Sequence, residues 1–196
     1  MTRRLSPLMG LLLVGMLLAG CTSEPAVNGV TRTTPLHVGD VALRDVTEPA
    51  VRAGGIIEAG ELTFAAADGR FLAVYFGFLN CPDICPTTLM DLRVALERVD
   101  ASIADRVDVV FVTVDPQRDT PSALGTYLPH FFPRFHALRD DNAALQRTLD
   151  AFLASAEIQL DASGDVVDVA HTAVLYLVND QGDVVVEWPF GTQPQA

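Results

Sequence analysis

From Leu62 onward the pattern of apolar and polar positions divides the chain into alternating strands and helices. Leu72–Leu79 is an unbroken apolar run rich in aromatic and β-branched residues, which predicts a buried strand. Thr87–Val99 predicts a helix, with Leu89, Leu92, Leu96 and Val99 at helical spacing. Pro86 suits its first position, where a missing N–H is no loss. Val107–Val114 reads as a second apolar strand, Ser122–Phe131 as a helix and Phe135–Leu138 as a short strand. Asn142–Leu153 is amphipathic, with Leu145, Leu149 and Phe152 on its core face. Thr172–Val178 and Val184–Trp188 are strands joined by Asn179-Asp180-Gln181-Gly182, residues that a hairpin turn prefers. Helices alternating with strands, closed by an antiparallel hairpin, predict a three-layer α/β fold. Leu36–Gly60 is less regular: Val38, Val41 and Leu43 hint at a strand, and Ala53-Gly54-Gly55 interrupts any element.

Ahead of this pattern, Arg3 and Arg4 precede an apolar stretch from Leu5 to Leu18, and Leu18-Ala19-Gly20-Cys21 has the form of a lipobox. The stretch is shorter than the roughly 20 residues that span a bilayer. Residues 1–20 therefore read as a lipoprotein signal peptide and Cys21 as its lipidation site. Residues 21–55 read as a lipid-anchored tether and a poorly defined lead-in, and 56–196 as the folded domain. This predicts a protein on the extracytoplasmic face of the cell membrane. Formal charge is −12, with arginine supplying every basic residue. A surface this acidic repels phosphate backbones, which argues against nucleic acid as a partner.

With Cys21 assigned to lipid, Cys81 and Cys85 remain, in the segment FLNCPDICPTTL where a strand feeds a helix. A helix N-terminus favours thiolate over thiol, the form that binds metal or attacks disulfides. A disulfide across so short a loop adds little stability. The pair thus points to soft-metal or redox chemistry. Asp83, between the cysteines, fits solvent or a helix cap better than a metal. His37, His130 and His136 read as surface or packing residues, and Met90 is the sole methionine after the signal segment. Asp115–Pro121 reads as a tight turn with Asp119 or Thr120 capping the next helix.

Three segments in this order, YFGFLNCPDICPTTL, VFVTVDPQRDTP and VAHTAVLYLVNDQG, resemble the signatures of the Sco/SenC family, copper-binding proteins that assist cytochrome c oxidase assembly. The resemblance implies a thioredoxin-like fold with a central mixed sheet, with copper, Cu(I) or Cu(II), carried by Cys81, Cys85 and His171. It further implies the copper-bearing oxidase subunit as partner, with other copper carriers, and a loop at Asp115–Pro121 that tunes the site or meets a partner. Two departures stand out. Ala170 occupies the place where the family often has an Asp before the histidine, and the family's last helix, beyond Pro189-Phe190-Gly191-Thr192, is missing from this sequence. The competing reading is a thiol–disulfide oxidoreductase that reduces the acceptor's cysteines. Such enzymes usually carry CxxC, however, and CxxxC gives a wider pair. A thiol peroxidase would need an activating Arg near its cysteine, and the segment offers none before Arg93.

Overall fold

The structure, a computed structural model, describes residues 28–48, 52, 57–58 and 60–192; the segment read as a signal peptide, and Cys21, lie outside them. In chain order the elements are β1 (Leu36–His37), β2 (Ala42–Arg44), β3 (Ile57–Glu58), β4 (Glu61–Thr63), β5 (Phe71–Gly77), α1 (Ile84–Arg98) and α2 (Ala101–Ala104). Then follow β6 (Val107–Thr113), α3 (Pro121–Tyr127), a 3-10 turn (Leu128–His130), β7 (His136–Leu138) and α4 (Asn142–Ala151). The hairpin β8 (Ala156–Leu160) and β9 (Val166–His171) leads into β10 (Val174–Val178) and β11 (Asp183–Pro189).

The main sheet has the order β1-β11-β10-β5-β6-β7. Its β5, β6 and β7 are parallel, and β10, β11 and β1 are added antiparallel, which makes the sheet mixed. Consecutive residues of β5 face opposite layers. On one side Tyr75 leans on Phe111 and faces the start of α1; on the other, Phe76 and Tyr176 pack edge-on against Phe152, just past α4, which also meets Phe64. This is the thioredoxin-like three-layer α/β fold.

Parallel pairing brings the loops after β5 and β6 to one end of the sheet. Strand β10 runs antiparallel to β5, with Leu175 opposite Tyr75. The residues just before β10, including His171, therefore reach that same end.

Four features depart from the sequence expectations. Helix α1 starts at Ile84, three residues before Thr87, with Asp83 as N-cap; Pro86 still sits in the first turn, where it displaces no helical bond. Residues 154–171 form the separate hairpin β8–β9, which pairs with neither of the other sheets. Strand β10 starts at Val174, so that His171 ends β9. The stretch read as tether and lead-in joins the fold from Asn28 onward. Val30 exchanges hydrogen bonds with Glu187, and β1 pairs with β11, satisfying an edge strand that would otherwise present free backbone groups.

The far edge holds a buried polar knot that the sequence did not suggest. His136, fully buried, meets Asp45 at 2.8 Å through Nδ1, and Arg52 Nε lies 3.3 Å from the same carboxylate oxygen. Thr47 donates its N–H to Asp45 and accepts the Ala137 N–H. Burial opposes ionisation of Asp45, but the bonds from His136 and Thr47 outweigh it and hold the carboxyl below its usual range.

Candidate metal centre

Strand β5 ends at Gly77, and the chain turns through Leu79 and Asn80 to Cys81, which precedes α1; Cys85 is the helix's second residue. Two consequences follow from placing a cysteine on each side of a helix start. The backbone N–H of Cys85 has no partner within the helix, and it donates to Cys81 Sγ at 3.3 Å. Cys85 itself points inward and is fully buried, whereas Cys81 stays half-exposed. Gly77 makes this close approach possible: a Cβ there would lie 3.2 Å from Cys85 Sγ and 2.9 Å from the Tyr75 ring.

His171 arrives from β9, with Ala156 of β8 opposite it. Its Nε2 stands 3.6 Å from Cys85 Sγ. Its Nδ1 donates to the Thr172 carbonyl at 3.2 Å, leaving the Nε2 lone pair aimed at the sulfur. Tyr75 and Phe78 hold the ring edge-on, with centroids at 6.1 and 5.8 Å. A backbone carbonyl, not a carboxylate, orients this ring. Asp168 does not serve, because its side chain accepts from the N–H of Val169.

Two sulfurs and one imidazole nitrogen lie within 4.8 Å of one another, and among the described residues this is the only such group of three potential metal donors. Burial lowers the His171 pKa, which favours the neutral ring that a metal needs. Burial also pushes the Cys85 thiol up to about 12, helped by the neighbouring Cys81. At Cys85, desolvation by burial opposes the thiolate that a helix N-terminus favours. The N–H that expresses the dipole points at Cys81 instead. Such a set suits a soft cation that displaces thiol protons on binding.

The other sequence candidates lie elsewhere. Asp83 is exposed and takes a long bond from Thr87. His37 pairs with Asp183, and His130 bonds the Tyr127 carbonyl. Thr120 caps α3 as expected, but Asp119 does not. Its buried carboxylate accepts the Leu79 N–H at 3.1 Å and the Thr113 hydroxyl at 2.6 Å, tying the loop after β6 to the turn that leads to Cys81. Arg139 braces the same loop through the carbonyls of Pro116 and Asp119. Neither support was foreseen, because both join residues far apart in sequence.

The profile of the SCO1/SenC family matches residues 58–196, a span that includes both cysteines and the histidine. The chain belongs to the SCO1/SenC family. A putative copper-binding protein of Stutzerimonas stutzeri is 37% identical over 120 residues, 59% of this chain and 56% of its own length. The chain likewise spans 62% of a SCO2-like protein of Rickettsia conorii. Among solved structures, Bradyrhizobium japonicum ScoI with copper bound superposes with a TM-score of 0.62 at 28% identity, covering 82% of this chain and 91% of that one. The apo Sco1 protein of Thermus thermophilus gives 0.68 at 29% identity, covering 85% and 89%.

Proposed function

We propose that this Sco-family chain is a copper carrier that binds the ion through Cys81, Cys85 and His171 and hands it to the copper-bearing subunit of cytochrome c oxidase. The observation that carries this reading is the meeting of two thiols and a neutral imidazole at one point, brought there by three separate elements. Copper is cargo here. Cu(I) is soft and accepts low coordination, so two thiolates and one nitrogen fit it; Cu(II) leans more on the nitrogen. Cys85 and His171 form the inner wall of the site, and half-exposed Cys81 is the ligand an acceptor reaches first. Copper-bound relatives support the cargo, and the naming of BsSco among cytochrome c oxidase assembly proteins supports the destination. Lipid on Cys21 places the carrier on the outer face of the cell membrane; the lipobox supports this.

A second reading, thiol–disulfide reductase, is favoured by one feature: Cys81 is accessible and carries a helix N–H on its sulfur, as a nucleophilic thiol would. One comparison separates the two. In cells lacking the wild-type protein at limiting copper, a carrier requires both Cys81 and His171. If His171→Ala restores normal oxidase activity while Cys81→Ser does not, the reductase reading replaces the carrier.

A further inference from the structure

The chain joins its domain at a defined place. Asn28 accepts a hydrogen bond from Trp188 Nε1, Val30 pairs with Glu187, and Arg32 forms an ion pair with the same Glu187. A side chain on Gly29 would collide with Val186 and Trp188, with a Cβ at 2.6 and 2.8 Å, so the backbone lies flush against β11. From there the chain runs antiparallel to β11, reaching its far end where His37 meets Asp183.

The register fixes which end of the sheet this is. Val30 lies opposite Glu187, Glu187 opposite Tyr176, and Tyr176 opposite Val74, whose strand then runs on to Gly77 and the thiols. Asn28, level with Trp188, is therefore at the metal-binding end. It stands about three strand spacings, ~15 Å, to the side of β5. Ile84, Val167 and Phe190 leave apolar side chains exposed at this end.

Residues Cys21 and Asn28 are separated by seven peptide steps. Whatever its conformation, such a segment reaches at most ~25 Å. A domain of this size is wider, about 40 Å across from its expected radius of gyration of ~15 Å. A leash shorter than the domain, fixed at one end of it, imposes an orientation.

We propose that the metal-binding end of the domain faces the bilayer, held within a leash length of the lipid surface, so that metal is exchanged at membrane level. This rests on the reading of Cys21 as the lipidated residue. The leash, rather than attraction, sets the distance, because a chain of net charge −12 has no electrostatic affinity for anionic lipid.

The test uses the mature full-length chain with Cys81→Ser and Cys85→Ser, coupled through Cys21 to a maleimide phospholipid in phosphatidylcholine vesicles. A fluorescent residue replaces either Gln117, in the loop after β6, or Asp105, before β6 at the opposite end. Energy transfer to acceptor lipids should be at least two-fold stronger from position 117. A 20-residue Gly/Ser insertion between Ser23 and Glu24 should erase the difference. Equal transfer, or stronger transfer from position 105, overturns the proposal. A difference seen only at high surface density also overturns it, since that marks a second copy rather than lipid. Should the serines unfold the chain, Cys81→Ala with Cys85→Ala replaces them. Because the coupling is chemical, the outcome does not depend on cellular acylation. Failure of the lipidation reading shows separately, as an unmodified Cys21 in protein extracted from membranes.

Discussion

Two histidines on this scaffold, one fully buried and one half-buried, have opposite surroundings. His136 meets a carboxylate, with Arg52 beside it, and is sealed from solvent with its Nε2 unpartnered. His171 gives its Nδ1–H to a backbone carbonyl and turns its Nε2 toward a sulfur, at a half-exposed position. The first arrangement stitches β7 to the segment around Asp45. The second presents a free lone pair beside two thiols. Burial alone does not make a histidine a ligand; the nitrogen must be left pointing at something a metal can share.

Exchanging the roles should break the molecule in different ways. The largest stability effect belongs to the knot. His136→Ala opens a cavity beside Asp45 and removes its 2.8 Å hydrogen bond, and truncating so large a buried side chain costs about 2–5 kcal/mol. Chemical denaturation should show that loss, while any molecule still folded retains copper binding. A loss under about 1 kcal/mol would mean that the knot is incidental.

His171→Ala should do the reverse. Its fold should hold, but copper affinity should fall by more than the ~10–100-fold that losing an outer-shell partner brings, most severely for Cu(II). Competition titration with a calibrated chelator reads this directly, and unchanged affinity would remove His171 from the site.

How the sequence showed these regions differs as sharply. Strands β5 and β6 were legible because they are mostly apolar and buried on both faces, with Asp108 the one charged residue between them. The start of α1 was misplaced because a proline at the third helical position is as well tolerated as one at the first. The hairpin β8–β9 left little signal, since it pairs only with itself and exposes most of its residues. The cysteine pair announced itself locally, but His171 was readable only by family resemblance. His136 read as surface or packing because Asp45, which explains it, lies 91 residues away. The Asp119 tie to Leu79 was hidden for the same reason: a buried Asp in a turn-rich segment looks like a cap until the fold brings another loop to it.

Acid should sharpen the contrast from the side of the knot. A carboxyl whose folded pKa is depressed contributes stability in full above its ordinary value of 3.8 and loses it as the pH falls through the folded value. Asp45→Asn should therefore start less stable but flatten the acid limb of the stability profile. A profile parallel to wild type below pH 4 would mean that Asp45 gains nothing from ionising in the fold.

The smallest effect separates the two thiols. In the reduced, metal-free protein, iodoacetamide should modify Cys81 well before Cys85, because Cys85 is buried and its thiol is pushed up to about 12. Peptide mapping after brief exposure checks the order; equal rates would mean that Cys85 is as open as its neighbour.

X-ray absorption on the reduced, copper-loaded domain bears most directly on whether these three side chains form one site. Copper held by Cys81, Cys85 and His171 gives two sulfurs and one imidazole nitrogen around the ion, with the nitrogen contribution lost in His171→Ala and one sulfur lost in Cys81→Ser. A copper ion surrounded by oxygen and nitrogen alone, or a wild-type spectrum unchanged by His171→Ala, would contradict it.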